Sequence, residues 1–194
     1  RVGQRVAALC DSGGFAERTA VAAERCVPLP DGMEYETAAG FLITYGTSHL
    51  ALTRRGQLQA GETLLVHGAA GGVGLAAVEI GALLGAQVIA TASSAEKLAL
   101  ARRYGAAHTI DYTQEDFVER VKAITGGRGA DLIYDPVGGE VFDRSLRCIA
   151  WEGRLLVIGF ASGRIPQPPA GLLLVKNVAV VGLYWGAYAK RNPQ

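Results

Sequence analysis

The stretch LLVHGAAGGVGLAAVEIGALLGAQVIATASSAEK, residues 64–97, joins two apolar runs through a glycine-rich turn and a helix-like segment. ETLLVHG (62–68) predicts a buried strand, and QVIATA (87–92) predicts a second. Between them, residues 72–84 predict a helix that is apolar nearly all round except at Glu79, and so one packed against a sheet. A glycine-rich turn that follows a strand and opens a helix is the setting a dinucleotide-binding fingerprint requires. The register is Ala69-x-Gly71-x-x-Gly74, with alanine in the first place. Gly71 would let the backbone approach a pyrophosphate, and Gly74 would let the helix lie close to the strand. The pyrophosphate would rest on the free N–H groups at the helix start, where the helix dipole also favours negative charge. The alternative is a tight turn that binds nothing, and it has to be weighed against what surrounds the loop.

Outward from this stretch the same alternation continues. Residues 95–104 predict a helix, HTIDY (108–112) a strand and residues 115–125 a helix. ADLIYDPV (130–137) predicts a strand, residues 141–148 a helix, GRLLVIGF (153–160) a strand and NVAVVGLYW (177–185) a last strand after the Pro-rich loop IPQPPAG. These strands are continuous apolar runs rather than alternating ones, as in a parallel sheet covered on both faces. Right-handed crossovers then predict an α/β, doubly wound Rossmann sheet of six strands in the order 3-2-1-4-5-6. In that setting the ligand-binding reading of the loop is favoured over the empty turn.

The N-terminal part reads differently. Residues 1–30 predict two or three strands, too few to close a core, and look like the tail of another domain. Residues 34–55 have helical apolar spacing with a break expected near Tyr45–Gly46. The expected division is 1–35 for the β remnant and 36–194 for the nucleotide-binding unit.

The chain has 194 residues, 49% hydrophobic and 19% charged, with a net charge of +1, which fits a folded protein and argues against nucleic-acid binding by bulk basicity. Its three cysteines, Cys10, Cys26 and Cys148, form no C-x-x-C pair, and an odd number cannot all pair. Reduced thiols, a reducing compartment and hence a cytoplasmic location are expected. The apolar run GLLLVKNVAVVGL is interrupted by Lys176 and Asn177 and is too short for a membrane span. The chain opens at Arg1, so a targeting segment upstream is left open.

At the end of the second strand a NAD site usually carries Asp or Glu to bind the ribose 2′-hydroxyl. Here Ser93 occupies that place, followed by Ser94 and, one turn into the helix, Lys97. A 2′-phosphate would meet two hydroxyls, a helix start and an ammonium, with Tyr112 able to cover the same pocket. The competing reading is a capping box, Ser93-x-x-Glu96, with Lys97 solvated. A capped helix start remains an anion site, so NADP(H) is expected over NAD(H).

Four segments carry a family resemblance: GFLITYGTSHLAL, GETLLVHGAAGGVGLAAVEIGALLGAQVIATASSAEK, YDPVGGEVFDRSLRCIAWEGRLLVIGFASG and KNVAVVGLYWGAY. Together they resemble the zinc-independent quinone oxidoreductases of the medium-chain dehydrogenase/reductase superfamily, over nearly the whole chain. The opening VGQRVAAL and GGFAERTAV resemble the end of that family's GroES-like catalytic domain. The resemblance implies an NADPH-dependent reductase that passes hydride to quinones or α,β-unsaturated carbonyls. It implies Thr47 near the nicotinamide, Ala70 to Gly74 at the pyrophosphate, and Ser93, Lys97 and Tyr112 around the adenosine phosphate. Asp135 to Val137 and Ile158, Gly159 and Phe160 would line the crevice, and Tyr184 and Trp185 would border the nicotinamide and substrate. The family's catalytic tyrosine and asparagine would fall before Arg1, and its return to the catalytic domain after Gln194, so no catalytic residue is assigned. A homodimer through the sixth strand, Asn177–Leu183, is also implied; the strand is apolar and free of proline, as a pairing edge should be.

No metal is expected. The four-cysteine loop of zinc-dependent superfamily members is missing between RVAALC and GGFAE, and residues 38–52 hold no cysteine where those enzymes place a ligand. His49 and His108 read as helix and surface residues. His67 reads as a βα-turn histidine bonded to backbone or touching cofactor, and Cys148 as core. Asp135 reads as a carboxylate that bonds the adjacent turn amides rather than as a general base. Two other functions fit the same residues: the enoyl reductase portion of a polyketide or fatty-acid synthase, and an NADPH-binding structural or sensor protein without catalysis.

Overall fold

The computed structural model describes residues 1–191, so the last three residues of the second expected unit lie outside the described residues. Strands β1 (Val6–Ala8) and β2 (Cys26–Pro28) pair antiparallel in a separate two-stranded ribbon. Helix α1 (Tyr35–Leu50) runs on into a π-helical turn, Ala51–Arg55. Then β3 (Thr63–Val66), α2 (Gly72–Leu83), β4 (Gln87–Ala92), α3 (Ala95–Arg103) and β5 (His108–Asp111) form the first half of the α/β unit. The second half is α4 (Phe117–Ile124), β6 (Ala130–Asp135), α5 (Gly139–Cys148), β7 (Ile149–Val157), α6 (Ala170–Lys176), β8 (Ala179–Gly182) and α7 (Trp185–Arg191).

The six strands of the second sheet are all parallel, in the order β5-β4-β3-β6-β7-β8. Numbered from β3, that is the expected 3-2-1-4-5-6. The continuous apolar strands follow from two-sided burial: successive side chains point to opposite faces, and both faces are covered. Leu64 and Val66 of β3 join one core with Leu52, Ala77, Val78 and Tyr134, whereas Leu65 joins the other with Ile89, Phe117, Ile133 and Phe142.

Three local expectations give way to tertiary packing. The break near Tyr45–Gly46 does not occur, and α1 is unbroken through both residues. A β-carbon on Gly46 would lie 2.8 Å from the Trp185 ring, so the glycine makes room for α7 and does not end a helix. Within the Pro-rich region, Ala170–Lys176 is helical, with Leu172 and Leu173 packed on the second core. Its seven residues are too few to display a helical period, and Asn177 ends it in the left-handed conformation at φ 52°. The last strand is accordingly only Ala179–Gly182, and Trp185 opens a helix instead of closing a strand.

Candidate functional site

The β3–α2 turn is built by glycines in three different ways. Gly68, one residue before the fingerprint, takes the positive φ of 58° that turns the chain out of the strand. That is why alanine suffices at position 69, whose N–H bonds Thr91 O on β4 at 3.1 Å. A β-carbon on Gly74 would overlap the Gly68 carbonyl oxygen and lie 2.8 Å from its carbon, so this position sets how closely α2 approaches the strand. Gly71 is the N-cap and supplies no side chain to bond the helix. Leu75 is the first residue whose N–H enters the helical ladder, bonding Gly71 O at 2.8 Å, so the amides of Gly72, Val73 and Gly74 lie ahead of it.

The start of α3 differs. Its N-cap is Ser94, whose Oγ accepts the Lys97 N–H at 3.4 Å. The N-cap thus sits one residue later than the Ser93-x-x-Glu96 reading, because Ser94 has the extended backbone an N-cap needs, at φ −157° and ψ 154°. With Lys97 three residues on, it is a plain serine cap and not a capping box. Ser93 is left with a different partner: Lys97 Nζ donates to its Oγ at 3.3 Å. The ammonium is therefore drawn back over the end of β4.

These two helix starts open on one cavity of about 720 Å³, outside the carboxyl ends of β3, β4 and β6. Its walls include Ala70, Gly71 and Val73 from the turn, Ser93, Lys97 and Tyr112 at one end, and Thr47, Val137, Ile158 and Gly159 toward the other. Pro136, within the expected Asp135 to Val137 stretch, lines it too, and so do residues that sequence reasoning did not single out as site residues: Ile43, Gly68, Ala92 and Ala161. Gly68 had a signal, being the glycine that ends the strand; Ala92 is the last residue of β4, Ile43 comes in on α1, and Ala161 on the loop after β7 that is bonded to the loop after β6.

Several expected site residues stand off the cavity wall. Gly72 and Gly74 face α1 and the Gly68 carbonyl respectively, and Ser94 is occupied as the cap. Asp135 is buried and accepts N–H bonds from Val137 at 2.8 Å and Gly138 at 2.9 Å, in line with its reading as a turn-holding carboxylate. Burial raises its pKa and those two bonds oppose the rise. Phe160 packs beside Gly138, Trp185 lies against Gly46, and Tyr184 is 77% exposed.

The loops after β6 and β7 are fastened together beside the cavity. Pro136 O accepts from Ala161 N at 3.1 Å, Val137 O from Ser162 N at 2.9 Å, and Arg164 O from Gly139 N at 3.0 Å. On the other wall, α1 is tied to α2 by Tyr45, which donates to Glu79, and by Ser48, whose Oγ lies 2.7 Å from Val73 O. Burial and the neighbouring carboxylate push the Tyr45 hydroxyl up to about 12.

His67 neither touches the cavity nor bonds backbone through its ring. It is buried under the sheet, with Nδ1 3.0 Å from Thr91 Oγ1 and Nε2 2.8 Å from Ser145 Oγ. Ser145 donates its own proton to Val141 O at 2.7 Å, so Nε2 carries the ring proton and Nδ1 accepts from Thr91. Desolvation drives the imidazole pKa down to about 3. His49 and His108 are exposed, while Cys148 is buried and its thiol is pushed up to about 12. Among the described residues, no three His, Cys, Asp or Glu side chains form a group able to hold a metal, and no helix is long and apolar enough to cross a membrane.

The profile of the family described as zinc-binding dehydrogenase matches residues 72–193. The quinone oxidoreductase-like protein 2 homolog of Nematostella vectensis is 46% identical over 99% of this chain and 53% of its own length. A quinone oxidoreductase of Pseudomonas aeruginosa is 41% identical over 97% of this chain and 59% of its own. The crystal structure of the Thermus thermophilus quinone oxidoreductase, determined also in complex with NADPH, superposes with a TM-score of 0.84 at 39% identity, covering 98% of this chain and 60% of that one. The chain thus spans a little over half the length of these relatives. With the doubly wound sheet, the fingerprint turn and these likenesses together, the chain belongs to the quinone oxidoreductase-like members of the medium-chain dehydrogenase/reductase superfamily.

Proposed function

We propose that this chain is the NADP(H)-binding part of a zinc-independent reductase of quinones or α,β-unsaturated carbonyls. The observation that carries the cofactor choice is the end of β4, where Ser93 stands in place of an acid with Lys97 Nζ held 3.3 Å from its hydroxyl. A 2′-phosphate there would take charge-assisted bonds from Lys97 and a hydroxyl bond from Ser93, and among the described residues no carboxylate lines this cavity to oppose it. The uncapped start of α2 fits a pyrophosphate, since Gly71 fills the N-cap position without occupying the amides behind it. The NADPH complex of the Thermus thermophilus relative supports the same reading.

When bound, the dinucleotide supplies a hydride. The chain's own residues bind and orient it: the α2 amides hold the pyrophosphate, Ser93, Lys97 and Tyr112 hold the adenosine phosphate, and Thr47, Val137 and Ile158 wall the nicotinamide end. Gly72, Gly74, Ser94, Asp135, Phe160, Tyr184 and Trp185 support that wall from behind or border its mouth. Residues 1–35 belong to a catalytic domain, and residues 36–194 form the nucleotide-binding domain. The working form is a homodimer in a reducing, cytoplasmic compartment. It pairs through the region Asn177–Leu183, where β8, among the described residues, is hydrogen-bonded on one side only, to β7.

The test is turnover. A protein carrying this chain, mixed with a benzoquinone or a short enone, is expected to oxidise NADPH faster than NADH, without loss of rate in a chelator. Light scattering is expected to give twice the protomer mass. Tight NADPH binding with no consumption in the presence of any quinone or enone would contradict the reductase reading and leave a nucleotide sensor.

A further inference from the structure

A buried chain of hydroxyls ends on the Val73–Gly74 peptide in the first turn of α2, whose Val73 lines the cavity. Ser48 Oγ lies 2.7 Å from Val73 O and 2.9 Å from Tyr134 Oη. The carbonyl can only accept, so the single Ser48 proton goes to Val73 and Tyr134 must donate to Ser48. Burial keeps the Tyr134 hydroxyl protonated by raising its pKa. Ser48 and Tyr134 are both fully buried, on α1 and β6 respectively. Neither lines the cavity, yet both converge on the first turn of α2.

The direction of the chain gives it a consequence. Val73 C=O and Gly74 N–H belong to the same peptide unit, and Gly74 N–H precedes the first rung of the helical ladder. Donation into the carbonyl polarises that unit and strengthens the N–H at its other end as a donor, because consecutive hydrogen bonds of one sense reinforce one another. The low dielectric around fully buried hydroxyls enlarges the effect. We propose that Ser48 and Tyr134 are positioning residues for the pyrophosphate. They form a relay Tyr134 OH to Ser48 OH to Val73 C=O that sharpens the Gly74 amide and fixes α1, with Thr47, against the start of α2. This rests on the NADP(H) reading above.

Ser48→Ala and Tyr134→Phe test it, with NADPH and adenosine 2′-phosphate as probes. The second probe carries the adenosine phosphate but no pyrophosphate. Ser48→Ala is expected to weaken NADPH about three- to tenfold and Tyr134→Phe by less, with adenosine 2′-phosphate unchanged in both. In the protein without nucleotide, the 15N resonance of the Gly74 amide is expected to move upfield in both variants, more in Ser48→Ala. Equal weakening of both probes together with a lower melting temperature would make the pair merely structural and overturn the proposal. So would an unchanged NADPH affinity or an unmoved Gly74 resonance. Wild-type protein that binds adenosine 2′-phosphate and NADPH no better than unphosphorylated nucleotides would instead remove the NADP(H) reading, while the resonance still reports whether the relay polarises the peptide.

Discussion

Helices α2 and α3 begin side by side on one cavity, and they begin in opposite ways. At α2 the N-cap is Gly71, with no side chain on the amides. At α3 the N-cap is Ser94, whose hydroxyl takes one of them. A side-chain cap stabilises a helix by satisfying amides that a ligand could otherwise use. The α2 start has left its amides open and relies on packing for stability: Gly74 on the Gly68 carbonyl, and Ser48 and Tyr45 from α1. The α3 start is self-sufficient, and its contribution to a ligand comes from side chains at its edge, Ser93 and Lys97. One start is built for close backbone contact with an anion, the other for telling one anion from another.

The largest effect is expected from Gly74→Val. The new side chain would drive into the Gly68 carbonyl, and urea unfolding is expected to show a loss of about 3 kcal/mol or more, with nucleotide binding abolished. Stability within about 0.5 kcal/mol of wild type would mean that α2 is not seated by close packing.

Acid should loosen both starts together, because His67 at the end of β3 and Thr91 in β4 are bonded to each other. The folded-state pKa of about 3 lies below the unfolded value near 6.5, so the unfolded chain binds the extra proton first. Stability is therefore complete above about pH 6.5 and falls as pH drops from there toward 3, by up to about 1.4 kcal/mol per pH unit. Melting temperatures measured across that window should decline more steeply in wild type than in His67→Gln. Parallel profiles would remove His67 from the account.

The two caps can be exchanged. Gly71→Asp places a carboxylate over the α2 amides and is expected to add up to about 1 kcal/mol to the helix while weakening NADPH about tenfold or more. Ser94→Ala should instead lose about 1 kcal/mol of stability with less than a twofold change in NADPH affinity. Thermal melts and titrations of the two variants, compared, would break the contrast if both moved affinity equally.

How much of this could be read from the sequence depends on how far apart the interacting residues are. The six-stranded order was legible because each strand is an apolar run and each connection holds a helix, as with Leu64–Val66 and its neighbours. The fingerprint turn was legible because Gly71 and Gly74 act on residues within one turn. Gly46 misled because its reason, the Trp185 ring, lies far along the chain. The capping register slipped by one because two adjacent serines differ only in backbone conformation, which no pattern reveals. The Ser48–Tyr134 pair was illegible for the same reason as Gly46: a buried serine and tyrosine have no periodic signature, and only the packing of α1 on the sheet brings them together.

The most direct measurement titrates the wild-type protein with NADPH and with NADH by nicotinamide fluorescence, alongside Ser93→Asp/Lys97→Ala. The account predicts at least tenfold tighter binding of NADPH to wild type, about 1.4 kcal/mol, and no such gap in the double variant. Equal affinity of wild type for the two nucleotides would contradict it, leaving Ser93 and Lys97 as an ordinary helix start with no part in choosing the cofactor.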